Sequence, residues 1–137
     1  MEKSIEDLNN SDYLLTCLDY NLNHNWKFLD GLTPEEKEKT EFLINPVCGP
    51  GCPQRKEHYR LNSLYALTYG INYPMKSCEI RNNDSMSYLF NPTHISPSEL
   101  YDKYVPAGFK YFKIEGRTWG DKTVALAVAD YLIKPEY

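Results

Sequence analysis

Short hydrophobic runs alternate with polar stretches along the chain, and this pattern predicts alternating strands and helices. Four runs have strand length, at 13–18, 42–44, 88–95 (in two short parts, 88–90 and 94–95) and 111–115. Each is followed by a stretch with helical features, at 33–39, 54–69, 96–104 and 121–132. Strict alternation of this kind is typical of a parallel sheet built from βα units. We therefore predict a polar leader over 1–12 and a single α/β domain over 13–137.

Two of the predicted helices carry a start signal that can be read residue by residue. Thr33-Pro34-Glu35-Glu36 and Ser96-Pro97-Ser98-Glu99 both combine a capping box with proline at the first helical position. The last helix has its apolar residues on one side, and Gly70 is a natural stop for the second. These signals place four helices after four strands.

Composition and charge narrow the class of protein. The 137 residues carry a formal net charge of −4, and without a basic stripe we expect no general binding of nucleic acid. No apolar run approaches the roughly 20 residues that span a bilayer, and the N-terminus lacks the pattern of a secretory signal. We therefore expect a cytoplasmic protein with no membrane segment. The 12 tyrosines predict an aromatic core or pocket lining whose hydroxyls need partners.

The cysteines form the first candidate site. Cys48 and Cys52 flank Gly-Pro-Gly on a loop after the second predicted strand, His58 follows, and Cys78 could return from the far end of the next helix. Three thiolates and an imidazole are a tetrahedral zinc shell, and three cysteines also suffice for an iron–sulfur cluster with a fourth ligand elsewhere. Reduced cysteines of no special role, with His58 on a helix surface, fit the same spacing. Cys17, inside an apolar run, reads as a small buried residue.

A second candidate site lies at the end of the fourth predicted strand. Period-2 alternation places Lys113 and Glu115 on one face and the apolar residues between them on the other. In a barrel the apolar face meets the helices, so Lys113 and Glu115 would point to the interior, near Arg117. Active sites of α/β folds lie at the carboxyl ends of strands. A structural salt-bridge network uses the same residue types.

Polar residues near the cysteine loop extend the first site. Asn45 ends the second predicted strand on the face opposite Phe42 and Ile44, and Arg55 and Arg60 are candidates for binding an anion close to the loop. We predict that Asn45 and Arg55 bind the cofactor of this site. Solvated charges on a helix surface are the alternative for both arginines. No nucleophile elbow, phosphate loop or paired-carboxylate motif is present in the sequence.

Two blocks of residues resemble a known family. The block N-x-x-C-x-x-x-C-P-x-R-x-x-H begins at Asn45, and the block P-x-x-L … F-K-I-E-G-R begins at Pro97. Both resemble the carboxyl-terminal part of the U32 peptidase family, also called collagenase-like proteases, and the resemblance covers about 42–117. Members have a TIM-barrel-like catalytic domain. Some are described as peptidases, and relatives hydroxylate RNA bases or quinone precursors with a cysteine-ligated iron–sulfur cluster.

The resemblance implies a fold and a set of roles. It makes the four βα units half of a (β/α)₈ barrel, because a complete barrel needs about 250 residues. It gives Cys48, Cys52 and Cys78 a metal or cluster role, with Cys17 or His58 as the fourth ligand. Lys113, Glu115 and Arg117 become catalytic residues at the barrel mouth. A free half-barrel exposes two unpaired edges, so we expect a homodimer or a protein partner that completes the barrel.

Two functions of different classes follow. The first is a U32-like half-barrel that binds a metal or iron–sulfur cluster through the cysteine loop, with residual hydroxylase or peptidase-type chemistry. The second is a small acidic binding or inhibitory protein derived from an enzyme fold, which acts through protein–protein contact. The residues leave open whether the protein is an enzyme.

Overall fold

A three-stranded parallel sheet is the centre of the fold. The computed structural model describes residues 5–71, 87–116 and 120–133. Strands β1 (Thr16–Cys17), β2 (Thr40–Leu43) and β3 (Tyr111–Lys113) lie side by side in the order β1-β2-β3. Both pairings are parallel, with Thr40 of β2 opposite Thr16 of β1 and Phe42 opposite Phe112 of β3. The prediction of a mixed α/β fold with a parallel sheet is confirmed.

Six α-helical segments surround this sheet in the described part of the chain. They are α1 (Ile5–Asn9), α2 (Trp26–Leu29), α3 (Pro34–Lys39), α4 (Arg55–Leu67), α5 (Pro97–Glu99) and α6 (Asp121–Leu132). A π-helical turn, Leu100–Tyr104, continues α5, and 3₁₀ turns cover Tyr20–Leu22 and Ser87–Phe90. Gly108, whose φ is +98°, then reverses the chain toward β3, in a conformation that favours glycine.

Both predicted capping boxes form and confirm the helix starts. Thr33 accepts a hydrogen bond from the Glu36 backbone N–H at 3.2 Å, and the Glu36 carboxylate accepts from the Thr33 N–H at 2.8 Å. The same reciprocal pair joins Ser96 and Glu99 at the start of α5. These bonds satisfy backbone donors that a helix start otherwise leaves open.

The third predicted strand is the main correction. Residues 87–90 form a 3₁₀ turn and 94–95 lie in a loop, so the described residues contain three strands where four were predicted. The physical reason is that β2 pairs directly with β3. The Ile95 N–H makes a single backbone hydrogen bond of 2.9 Å, to the Ile44 carbonyl just beyond the end of β2.

One face of the sheet carries the hydrophobic core, and the core is strongly aromatic as predicted. Phe42 of β2 contacts the rings of Phe109 and Tyr104 edge-on, at centroid distances of 4.9 and 5.1 Å. Aliphatic side chains from the surrounding segments complete this core: Leu8, Leu18, Leu29, Leu32, Ile44, Ile95 and Leu100. Burying each such side chain contributes about 1.5–3 kcal/mol, so this face attaches the helices to the sheet.

The opposite face is more polar and partly open. Tyr111 and Lys113 of β3 are exposed there, and the Lys113 ammonium lies 3.5 Å from the Glu41 carboxylate on β2. The alternation predicted for this strand is confirmed, since Phe112 packs against the core. Across the described ranges, no helix has the length and apolarity needed to cross a membrane.

Candidate functional site

The loops that follow β1 and β2 meet at the carboxyl edge of the sheet. Asp19 and Asn21 come directly after β1, and the loop from Ile44 to Gln54 follows β2. The Asn21 side chain donates to Asp19 at 2.8 Å and accepts from the Gly51 N–H at 3.1 Å. The two loops are therefore joined by side-chain hydrogen bonds, and Cys48 and Cys52 lie in the second one.

A buried ion pair fixes the start of α4 to this edge. One guanidinium nitrogen of Arg55 lies 2.7 and 3.0 Å from the two carboxylate oxygens of Asp19. The side chains of Asp19 and Arg55 are only 2% and 15% exposed. Arg55 was predicted to bind an anion or cofactor, and here its guanidinium binds a carboxylate of the protein itself. Arg60, the other candidate, pairs with Glu57 on the exposed side of α4.

Tyr20 lies between this ion pair and the cysteine loop. Its ring is covered by the Arg55 guanidinium, 4.2 Å from the ring centroid, and the residue is 2% exposed. Its hydroxyl has no oxygen or nitrogen partner within the described residues. Burial, and then the adjacent Cys48 thiol, raise the pKa of Tyr20 well above its ordinary value. The phenol therefore keeps its proton and can act as a hydrogen-bond donor.

The cysteine loop is also fixed from the other side, by Asn91. The Asn91 amide donates to the carbonyls of Pro46 and Cys48 at 2.7 and 3.0 Å. Its oxygen accepts from the N–H and hydroxyl of Thr93. Cys48 and Cys52 remain partly exposed, and no disulfide links either of them, or Cys17, within the described ranges. The loop thus carries two thiols, and hydrogen bonds from neighbouring side chains hold its backbone in place.

The other proposed metal ligands are His58, Cys17 and Cys78, and the structure describes the first two. His58 lies on α4, one turn after Arg55, and is half-buried. Cys17 lies on β1 and is also half-buried. Cys78 lies outside the described residues. Within 5–71, 87–116 and 120–133, no three histidine, cysteine or acidic side chains form a group that could hold a metal ion. The two loop cysteines have the donor chemistry of a zinc or iron–sulfur site, and their metal role stays a prediction.

Asn45 has a structural contact that the strand pattern did not indicate. It is fully buried, its amide N donates to the Glu115 carbonyl at 2.9 Å, and its amide O accepts from the Glu115 N–H at 2.6 Å. The side chain thus takes the place of a backbone partner and extends the β2–β3 pairing by one step. Asn45 was predicted to bind a cofactor, and both polar ends of its amide are engaged by the protein backbone.

The residues of the F-K-I-E-G-R block lie in two places, on the open face of the sheet and at its carboxyl edge. Lys113 is exposed on the open face, and Glu115 is half-buried with its backbone held by Asn45. Arg117 lies outside the described residues. The structure therefore brings Glu115 and Asn45 together, whereas Lys113 contacts Glu41. Their predicted catalytic roles stay a prediction.

Three residues of this site were missed in the sequence: Asp19, Tyr20 and Asn91. Each lies next to an apolar run, and its residue type does not by itself indicate a functional role. Only their positions along the chain could have indicated these residues, because residues just after a parallel strand lie at the edge of the sheet where α/β proteins place their sites.

The chain was also compared with protein-family models, curated proteins and solved structures, and none of them matches it. The resemblance to the U32 family therefore depends on the two sequence blocks alone.

Proposed function

We propose that the protein binds a metal ion or an iron–sulfur cluster through the thiols of Cys48 and Cys52. The observation that carries this proposal is the construction of the loop. Asn21 and Asn91 hold its backbone, and a buried tyrosine hydroxyl with no oxygen or nitrogen partner in the described residues lies beside the Cys48 thiol. Buried polar groups are normally satisfied, and a metal-bound thiolate is a strong acceptor for such a hydroxyl.

The proposed ligand set follows the sequence blocks. Cys78 would be the third ligand, and His58 or Cys17 the fourth. With four such ligands a zinc ion would stabilise the fold directly, and an iron–sulfur cluster would supply one-electron chemistry. Ligation through a loop at the carboxyl edge of the sheet agrees with the position of sites in α/β folds.

Purification without oxygen, followed by elemental analysis and visible spectroscopy, tests this function. We expect bound zinc, or iron and sulfide with a brown colour, and we expect Cys48→Ala and Cys52→Ala each to lose the metal. Cys17→Ala and His58→Ala, measured alongside, identify the fourth ligand, because only one of the two should lose metal. A colourless wild-type protein containing neither zinc nor iron would refute the proposal.

We also propose that the chain is a U32-like half-barrel, in which the parallel strands β1, β2 and β3 form part of an incomplete barrel. The parallel order of the three described strands, with the core on one face and Tyr111 and Lys113 exposed on the other, supports this arrangement. A second copy of the chain or another protein would cover the open face. Light scattering coupled to size-exclusion chromatography should then give a mass above the 16.0 kDa of one chain, whereas a monomer at high concentration would contradict the proposal.

A binding protein that acts through protein–protein contact is the second candidate function. The observation that favours it is the run of large exposed side chains along and after α4. Tyr59, Tyr65 and Tyr69 are 55%, 52% and 101% exposed, and Leu67 and Ile71 lie beside them in the sequence. Tyrosine is enriched at protein interfaces. Crosslinking from a photoreactive residue at position 65 should then capture one defined partner, and a matched probe at Asn62 should capture less of it.

A further inference from the structure

We infer that the outer edge of β3 binds the same edge of a second copy of the chain. The two β3 strands run antiparallel, with Phe112 opposite Phe112 of the second copy at a two-fold axis, and one sheet continues through both copies. The inference rests on the proposed half-barrel only in its need for a partner, since it names that partner, the edge and the register. It does not involve the cysteine loop or any metal.

The hydrogen bonds of β3 identify the backbone groups that are left for a partner. The Lys113 carbonyl accepts from the Ile44 N–H at 3.0 Å, so Lys113 directs its backbone groups toward β2. Successive residues of a strand direct these groups to opposite sides, and those of Phe112 and Ile114 therefore point away from β2. β3 is the last strand of the sheet, and across 5–71, 87–116 and 120–133 no strand lies beyond it. An edge of this kind is a template for a further strand.

The two lysines beside this edge have counterions in their own chain. Charged side chains, lysine above all, commonly protect an edge strand from pairing with another chain. Here the Lys110 ammonium pairs with Glu38 of α3, and the Lys113 ammonium lies 3.5 Å from the Glu41 carboxylate of β2. The two lysine charges are therefore balanced by two carboxylates, which reduces the repulsion between two identical edges.

The register centred on Phe112 uses every outward-facing group near the strand. Phe112 exchanges two hydrogen bonds with Phe112 of the second copy, and Lys110 and Ile114 exchange further pairs across the interface, about six bonds in all. On the open face, Lys113 lies beside Tyr111 of the second copy, a residue that is 42% exposed in the single chain. An ammonium beside an aromatic ring forms a favourable cation–π contact, and the two-fold symmetry forms it twice.

Two shifted registers are weaker. Centring the pairing on Lys113 places two ammonium groups directly opposite each other, which is destabilising. Centring it on Tyr111 extends the pairing to Gly108, whose φ of +98° ends the extended backbone, so about four hydrogen bonds remain. Charge and backbone geometry thus favour Phe112 as the centre.

Disulfide cross-linking in a mixture of two variants tests the register. Tyr111→Cys and Lys113→Cys place thiols at exposed positions that face each other between copies, at a Cα separation of about 4.5 Å, which a disulfide can span. We expect a cross-linked dimer when the two purified variants are mixed and oxidised, and little in either variant alone, because identical positions lie two residues apart along the paired strands. Wild type treated in the same way gives the background from the native cysteines.

A charge variant provides a second measurement. Tyr111→Lys places an ammonium opposite Lys113 of the second copy, whereas within one chain position 111 lies opposite Glu41 of β2, so the fold should be kept. Sedimentation equilibrium should show a dimer dissociation constant raised about tenfold, because two like-charge contacts form per dimer. Asn62→Lys, on the exposed side of α4, is the matched control, which adds the same charge and should leave the dissociation constant unchanged.

The outcomes separate the inference from the proposed half-barrel. If wild type has the mass of more than one chain but the mixture gives no cross-link above background, the β3 edge is refuted and the need for a partner stands. Equal dissociation constants for Tyr111→Lys and Asn62→Lys would also refute the edge. A wild type that is monomeric at high concentration would refute both the inference and the partner.

Discussion

Arg55 and Asp19, 36 residues apart in the chain, form an ion pair that joins the start of α4 to the end of β1. Both side chains are largely removed from solvent, and Arg55 also covers the Tyr20 ring. The pair therefore connects the strand, the cysteine loop and the helix that carries His58. A charge that could have bound a ligand instead supports the loop that presents the thiols.

Breaking this pair should destabilise the fold strongly. Asp19→Asn leaves the Arg55 charge buried without its counterion, and loss of one partner of a buried pair typically costs about 3–5 kcal/mol. Urea unfolding monitored by tyrosine and tryptophan fluorescence measures the loss. Because Asp19 anchors Asn21 and the loop, we also expect reduced metal content in this variant.

The exposed pair on the same helix is the control. Glu57 and Arg60 are more than half exposed, and exposed pairs contribute little because solvent screens them. Glu57→Gln should unfold at nearly the same urea concentration as wild type. Equal losses in Asp19→Asn and Glu57→Gln would show that burial of the Arg55 pair contributes nothing.

Asn45 gives a second prediction. Asn45→Ala removes two hydrogen bonds to the Glu115 backbone and leaves a buried donor and acceptor unsatisfied, which costs about 2–4 kcal/mol. Thermal unfolding measures the effect, and Asn62→Ala on the exposed side of α4 is the matched control, expected near zero. If Asn45 instead binds a cofactor, Asn45→Ala should lose binding and keep the stability of wild type.

Local signals in the sequence predicted the helices better than the sheet. The capping boxes at Thr33 and Ser96 are complete within four residues, so α3 and α5 begin where expected. The prediction of a third strand was wrong because a strand forms only where a neighbouring strand is free to pair with it, and β2 pairs with β3. A run such as 88–90 contains no information about which neighbour is already paired.

The candidate site shows the same limit. The sequence spacing of Cys48 and Cys52 is enough to predict that one loop carries both thiols. The contacts of Arg55 with Asp19, and of Asn45 with Glu115, span 36 and 70 residues, and nothing near either residue indicates that its polar atoms are already used. Sequence alone therefore predicted the chemical type of these side chains and missed their partners.

His94 should make stability dependent on pH. Burial lowers its pKa from the ordinary value of 6.5, an effect that Asp130 and Glu99 oppose and His24 reinforces. The unfolded chain therefore binds a proton more readily than the folded protein in this range. Stability is complete above about pH 6.5 and falls as the pH drops toward the lowered folded pKa. Urea midpoints at several pH values between about 7.5 and 5 measure this slope.

His94→Gln tests the assignment of that slope. Glutamine keeps an amide donor for the Tyr131 hydroxyl, which lies 2.8 Å from the His94 ring nitrogen, and it does not titrate. We expect the variant to lose most of the decline just below pH 6.5. The variant should keep any loss of stability that sets in below pH 4.5, because that loss belongs to carboxyl groups such as Glu36 and Glu99, whose pKa values are lowered from 4.5 by their hydrogen bonds. An unchanged slope would place the titrating group elsewhere.

Lys113 provides the last prediction, which concerns the late sequence block. Its ammonium is exposed and lies 3.5 Å from Glu41 on the open face of the sheet, so Lys113→Ala should change the free energy of unfolding by less than about 1 kcal/mol. Metal content should also match wild type, because the Lys113 ammonium pairs with Glu41 on the open face of the sheet. Urea unfolding and elemental analysis of the same preparation measure both quantities. Loss of metal in Lys113→Ala, with stability unchanged, would instead assign Lys113 to the site at the carboxyl edge.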